Sequence, residues 1–80
     1  MKYEVLVQLK GEVLDPEGRA IQETLKSQGF HGVASVQVAK RYVLDIPGDA
    51  DQSEKIATEI SQKYLANPVA QTFSVKRLPS

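Results

Sequence analysis

Few side chains in this 80-residue chain could do chemistry, and their spacing argues against most of it. The single histidine, His31, stands in Gly29-Phe30-His31-Gly32, where it could serve as a general base. Nothing near it in sequence supplies an orienting carboxylate or a nucleophile to activate, so it reads as a loop residue. Asp49 and Asp51 lie close together before a helical stretch. A calcium loop would also need its glycine and its closing glutamate, which are missing, and turn or capping duty accounts for both aspartates. Gly11 and Gly18 bracket no phosphate loop, because neither the Gly-Lys-Ser/Thr ending nor the Gly-x-Gly-x-x-Gly spacing is present. Amides at the start of a helix opened by Asp15-Pro16 could take an anion, but the Asp15 carboxylate competes for that position. Lys40-Arg41 could touch a nucleic acid, yet no stacking aromatics accompany them and they read as solvated. The chain has no cysteine, which excludes disulfides and thiolate metal sites. No enzyme class can be assembled from this inventory.

The totals point the same way. Ten Lys and Arg balance ten Asp and Glu, giving a formal net charge of zero. That balance disfavours a general nucleic-acid binder and electrostatic attachment to an anionic membrane. It permits self-association, since there is little self-repulsion. No stretch approaches the roughly 20 apolar residues needed to span a bilayer, and Met1-Lys2-Tyr3-Glu4-Val5 does not begin a secretory signal. The expectation is a soluble, cytoplasmic protein. Residues 1–80 form one domain whose core is thin, so a second copy or a larger partner is the natural supplement.

The elements that must position these residues follow from periodicity and caps. Residues 3–9 alternate, with Tyr3, Val5, Val7 and Leu9 on one face, which predicts a half-buried strand. Asp15-Pro16 opens a helix, Ala20, Ile21, Thr24 and Leu25 give its apolar stripe, and Gly29 closes it in the left-handed conformation. Between residues 33 and 46 the apolar positions Ala34, Val36, Val38, Tyr42, Leu44 and Ile46 are all even. A three-residue loop Ala39-Lys40-Arg41 would make a hairpin pairing Val38 with Tyr42 and Val36 with Leu44, and this is the favoured reading. It lacks the glycine such loops normally use, so one long bent strand stays open as the alternative. A second helix starts near Asp51 or Ser53, with Ile56, Ala57, Ile60, Tyr64 and Leu65 on its apolar face. Asn67 takes the left-handed position after it and Pro68 blocks continuation. A last strand carries Val69, Phe73 and Val75 on one side, and residues 77–80 form a frayed tail. The order is β-α-β-β-α-β, or β-α-β-α-β if the middle strand is continuous. Either is an α+β, ferredoxin-like-related plan with two helices on one face of a mainly antiparallel sheet.

Two segments carry a family resemblance. Lys10-Gly11-Glu12-Val13-Leu14-Asp15-Pro16-Glu17-Gly18-Arg19-Ala20-Ile21 resembles the first strand-to-helix junction of the PurS family, the small subunit of formylglycinamide ribonucleotide amidotransferase. Lys63-Tyr64-Leu65-Ala66-Asn67-Pro68-Val69 is similar to that family's junction before the last strand, and residues 33–46 to its central strand region. Ala39 stands where the family often has Gly, and Phe73 where it often has Tyr.

The resemblance implies a non-catalytic subunit in purine biosynthesis. The assembled enzyme would use glutamine, ATP and magnesium, with the ATP chemistry on a large synthetase subunit and ammonia made by a glutaminase subunit. This chain would bind no cofactor, form dimers or tetramers with itself, and hold the other two subunits together for ammonia transfer. The loops expected to make subunit contacts are those of Lys10, Glu12, Asp15 and Pro16, and of Asn67 and Pro68. Two other classes compete: a small-molecule-sensing regulatory domain of ferredoxin-like type, and an RNA-binding domain. The second would need stacking aromatics on the open sheet face, whereas Tyr3, Tyr42 and Phe73 mostly share parity with the core residues.

Overall fold

The structure, a computed structural model, describes residues 1–11 and 15–79. Strand β1 (Lys2–Leu9) is followed by helix α1 (Pro16–Ser27), strand β2 (Ala39–Asp45), helix α2 (Ala50–Ile60), a π-helical turn (Ser61–Leu65) and strand β3 (Gln71–Leu78). The three strands form one antiparallel sheet in the order β2-β1-β3. Of the two orders open in the sequence, the chain therefore adopts β-α-β-α-β. The hairpin does not form: Ala39, Lys40 and Arg41 lie inside β2, opposite Gln8, Val7 and Leu6. Without a glycine there, the backbone stays extended through the site of the expected loop.

Local chemistry accounts for the helices. Asp15 caps α1 by accepting from the Gly18 amide at 3.0 Å, and Pro16 occupies the first turn, where its missing N–H has no helical partner. At the other end Gly29 has φ 95°, its amide donates to the Lys26 carbonyl, and the Phe30 amide donates to the Leu25 carbonyl at 2.9 Å. That pair of bonds is a Schellman cap, as the position of Gly29 anticipates. Helix α2 begins at Ala50, one residue before the expected start, because Asp49 supplies the cap to the Gln52 amide at 2.8 Å.

Burial follows the alternation in β1. Tyr3, Val5 and Val7 are essentially inaccessible, and Tyr42, Leu44, Leu65, Phe73 and Val75 pack against this row. Burying side chains of this size contributes about 1.5–3 kcal/mol each. Tyr3 brings a hydroxyl into the core, and it is satisfied there by the Ser53 Oγ at 2.7 Å and the Ala50 carbonyl at 3.0 Å. This contact fixes the start of α2 over β1. The opposite sheet face stays open and mixed: Leu6 and Val43 are exposed beside Glu4, whose carboxylate pairs with Arg41 at 2.6 Å.

Four further expectations are corrected. Tyr64, expected on the apolar face of α2, is 80% exposed. The wider π-helical turn rotates the chain past the 3.6-residue period and turns Leu65 and Ala66 inward instead. Val69 lies in the turn before β3 rather than in the strand, and Asn67 is not left-handed, since among the described residues only Gly29 and Gly48 have positive φ. Residues 77 and 78 are not frayed either: Arg77 pairs with Tyr3 and Leu78 with Lys2. Tyr3→Phe should leave the fold intact but remove the hydroxyl bridge to α2, at a cost of about 1 kcal/mol. Thermal unfolding should then show a Tm roughly 4–8 °C lower.

Candidate assembly surface

Both segments singled out in the sequence meet at one end of the sheet. The Lys10 amide, just past β1, donates to the Ala70 carbonyl at 2.9 Å, which ties the exit of β1 to the turn ahead of β3. That turn is built on Asn67. Its side-chain oxygen accepts from the Val69 amide at 3.0 Å, its carbonyl accepts from the Gln71 amide at 2.7 Å, and its own amide donates to the Gln71 side chain. The short polar side chain thus replaces a backbone partner, as turn-forming asparagines do. Pro68 and Val69 project from this turn, with Val69 82% exposed and Tyr64 close by in sequence at 80%.

Asp15 and Pro16 border the same end. A cleft of about 170 Å³ is lined by Leu9, Asp15, Glu17, Val38, Lys40 and Gln71, among others. Lys10 is half-buried, whereas Pro16, Asn67 and Pro68 are exposed. Glu12 lies outside the described residues. The structure therefore places Lys10, Asp15, Pro16, Asn67 and Pro68 around one end of the sheet.

Asp15 does more than cap a helix. One carboxylate oxygen accepts from Gly18 and the other from the Val38 amide at 3.0 Å, so a single side chain joins α1 to the run leading into β2. Helix and run are closely applied there: a Cβ on Gly18 would sit 2.2 Å from the Val36 carbonyl oxygen. Gln22 adds a third link by donating to the Ala34 carbonyl at 2.7 Å. The amides of Gly18 first, then of Val38 and Glu17, hold the Asp15 carboxyl below the ordinary aspartate value of 3.8, against the opposing effect of lost hydration. Tyr3, Ser53 and Ala50 were not foreseen as a polar cluster. The signal available was a tyrosine at a core-parity position, whose hydroxyl must find a partner when buried.

The residues considered for catalysis are kept apart. His31 sits on the loop after α1, beside a groove also lined by Arg19, Glu23 and Lys26. Asp49 is engaged in capping, and Arg41 in its pair with Glu4. Among the described residues no three His, Cys, Asp or Glu side chains converge on a common point.

The comparisons with known proteins decide the family. A family model described as PurS, phosphoribosylformylglycinamidine (FGAM) synthase, matches residues 2–78. This chain belongs to the PurS family. The PurS subunit of Methanocaldococcus jannaschii phosphoribosylformylglycinamidine synthase is 40% identical over 78 residues, covering 94% of this chain and 92% of its own. The Bacillus subtilis PurS subunit is 35% identical over 72 residues, covering 90% of this chain and 86% of its own. Among solved structures, M. jannaschii PurS superposes with a TM-score of 0.86 at 36% identity, over 94% of this chain and 92% of that one. A chain in the structure of PurLQS from Thermotoga maritima shares the fold with a TM-score of 0.86 at 24% identity, over 96% of this chain and 95% of that one.

Within this PurS chain the Asp15 link yields two predictions. Gly18→Ala should lower the Tm, although alanine is by about 1 kcal/mol the better helix former, because the methyl drives α1 off Val36. A Tm that rises would show that the close approach is not needed. The second concerns acid. The folded-state pKa of Asp15 is depressed, so the link is fully formed above the unfolded-state value and is lost as pH falls through the lower, folded-state one. In an NMR acid titration the Gly18 and Val38 amide signals should move together with a midpoint below 3.8, the ordinary value.

Proposed function

We propose that this chain is the non-catalytic small subunit of phosphoribosylformylglycinamidine synthase in purine biosynthesis. It associates with itself as a dimer or tetramer, and bridges a glutaminase subunit and a large synthetase subunit in the cytoplasm. In this reading it binds no cofactor, and the ATP and magnesium of the reaction are used elsewhere in the complex. The observation that carries the reading is the family match across residues 2–78, which spans every element of the fold. The presence of a chain of the same fold in the PurLQS structure supports a role within an assembly.

The physical logic is that of a spacer. Ammonia released at one active site reaches another only if the two are held in a fixed relation, and that relation comes from buried contact area. Stable interfaces bury roughly 1,200–2,000 Å² in total. The sheet end formed by Lys10, Asn67, Pro68 and Val69, with Asp15 and Pro16 beside it, is the surface assigned to partner contact. Its turns are internally hydrogen-bonded, so little ordering entropy is lost on docking.

The test is glutamine-dependent formation of formylglycinamidine ribonucleotide by the large and glutaminase subunits, with and without this chain. Glutamine-driven turnover and a three-component complex on size exclusion with light scattering should both require it, while ammonia-driven turnover should not. Indifference of all three would overturn the reading. The paired substitution Lys10→Ala and Val69→Ser should weaken complex formation by about tenfold or more while changing stability by no more than about 0.5 kcal/mol. A variant that assembles normally would remove this sheet end from the interface.

A further inference from the structure

Strand β3 borders the sheet, and the phase of its hydrogen bonds fixes which backbone groups it leaves open. Met1 and Ile46 exchange both backbone bonds, at 2.8 and 3.0 Å, so the odd-numbered groups of β1 face β2. Its even-numbered groups then face β3, in agreement with the Lys10 amide on the Ala70 carbonyl. The register sets Leu6 opposite Ser74 and Glu4 opposite Lys76. The even-numbered groups of β3 are therefore taken by β1, and Phe73, Val75 and Arg77 point their N–H and C=O groups outward. Gln71 obeys the same phase: its amide is turned away from β1 and is closed by the Asn67 carbonyl at 2.7 Å. Beyond Gln71 that closure ends. Among the described residues nothing meets the outward groups of Phe73, Val75 and Arg77. They form a row of about 17 Å, the length of an average strand.

Side chains give this edge two unlike ends. Beside Phe73 a cavity of about 460 Å³ lies between the π-helical turn and the strand, lined by Ala66, Pro68, Thr72 and Phe73 among others. Phe73 packs on the covered face of the sheet, and Thr72 alternates to the open face. Since β1 occupies the inner edge, a cavity that touches both residues lies on the outer one. Phe73 and Val75 are only half-buried, so the covered face is unfinished along this border. At the other end stand Lys76 and Arg77, both exposed, and neither forms a salt bridge among the described residues. Positive charge on an edge keeps unselected strands away, and it favours a strand that brings a carboxylate. The cavity is continuous through Pro68 with the turn assigned above to partner contact.

We infer that a partner subunit adds a strand to this edge, antiparallel to β3, with a carboxylate opposite Arg77 and an apolar side chain in the cavity beside Phe73. The inference rests on the bridging role proposed above and names how a partner subunit is gripped. In an antiparallel pair the residue opposite Arg77 comes first, and the residue opposite Phe73 follows it in the partner chain. Between them lies a residue opposite Val75, where a β-branched side chain packs best. All three of these side chains fall on the covered face, where Phe73 and Val75 lack cross-strand neighbours on the outer side. Main-chain bonds supply the affinity of an added strand, and pockets for alternate side chains supply its selectivity. The Asn67 turn, by closing the Gln71 amide, sets where the added strand must stop.

Hydrogen exchange of the full chain, alone and with the purified large and glutaminase subunits, reads this edge directly. The Phe73, Val75 and Arg77 amides have no intrachain partner, so they should exchange freely in the chain alone and slow by about tenfold or more in the complex. Arg77→Pro removes one outward N–H and one charge but no intrachain bond, a change that an edge strand tolerates. It should weaken complex formation by about tenfold or more in light scattering and leave the thermal unfolding of the isolated chain unchanged. Arg77→Glu keeps the N–H and reverses the charge, and it should weaken the complex by a factor that shrinks as salt rises. Should Arg77→Pro fail to fold, exchange in the unaltered chain and Arg77→Glu still decide. The inference is overturned if the three amides exchange as fast in the complex as alone, or if both variants assemble normally. Slow exchange in the chain alone overturns it too; where dilution restores fast exchange, a second copy covers the edge. Glutamine-dependent turnover on the same samples separates this inference from the bridging role. Turnover that needs the chain while the three amides stay unprotected overturns only the added strand. A chain that joins no complex, with turnover indifferent to it, overturns both.

Discussion

The structure hangs on where one carboxylate holds the first helix. Asp15 binds the Gly18 amide with one oxygen and the Val38 amide with the other, and Gly18 lets the helix come down onto the Val36 carbonyl. Those contacts fix α1 on the run that leads into β2, beyond the end of the three-stranded sheet. A helix held there cannot also cover the sheet. The sheet is left with α2 and the π-helical turn as its cover, the fully buried hydrophobic set is small, and the molecule extends to 49 Å along its longest axis. Charge-assisted bonds from backbone amides are stronger than neutral ones, so a side chain that makes two of them can set the course of a whole segment.

A thin core raises the weight of each contact within it. The hydroxyl of Tyr3 reaches α2 at Ser53 and Ala50, and Ser53 Oγ is also within bonding distance of the Asp49 carbonyl at 2.7 Å. The capping residue of α2 and the first core residue of β1 are therefore joined through one serine. At the far end of the same helix, Ser61 bonds the Ala57 carbonyl at 2.7 Å within the buried face, where the α-helix gives way to the π-helical turn. The Tyr3 bonds to Ser53 and Ala50 specify how the start of α2 lies on the sheet, which a small set of aliphatic side chains would leave poorly defined.

What the sequence revealed was whatever is decided within a few residues. The Asp15-Pro16 start, the Gly29 stop and the alternation of β1 all rest on local geometry and were readable from single positions. The π-helical turn was not, because nothing in Ser61-Gln62-Lys63-Tyr64-Leu65 departs from helical spacing. The extra residue is accommodated only so that Leu65 and Ala66 meet the strands, and Tyr64 is turned out as the consequence. An asparagine after a helix suggests a left-handed cap, and Asn67 departs from that expectation. Here its side chain builds a turn of its own and the backbone stays at negative φ. Of the expected contact loops, the Asp15-Pro16 cap was legible and the Asn67 turn was not, and their meeting at one sheet end depends on the Lys10–Ala70 bond, which joins distant parts of the chain.

The even-numbered apolar run from Ala34 to Ile46 is the instructive failure. It called for an antiparallel neighbour of matching parity, and a hairpin at residues 39–41 was the nearest way to supply one. The backbone there has no glycine to reverse on, and β1 takes up Ala39, Lys40 and Arg41 as strand. The pattern is nevertheless real: Val36, Val38, Tyr42, Leu44 and Ile46 are each half-buried while their neighbours are exposed. Within one chain only the later half of this run has a strand beside it.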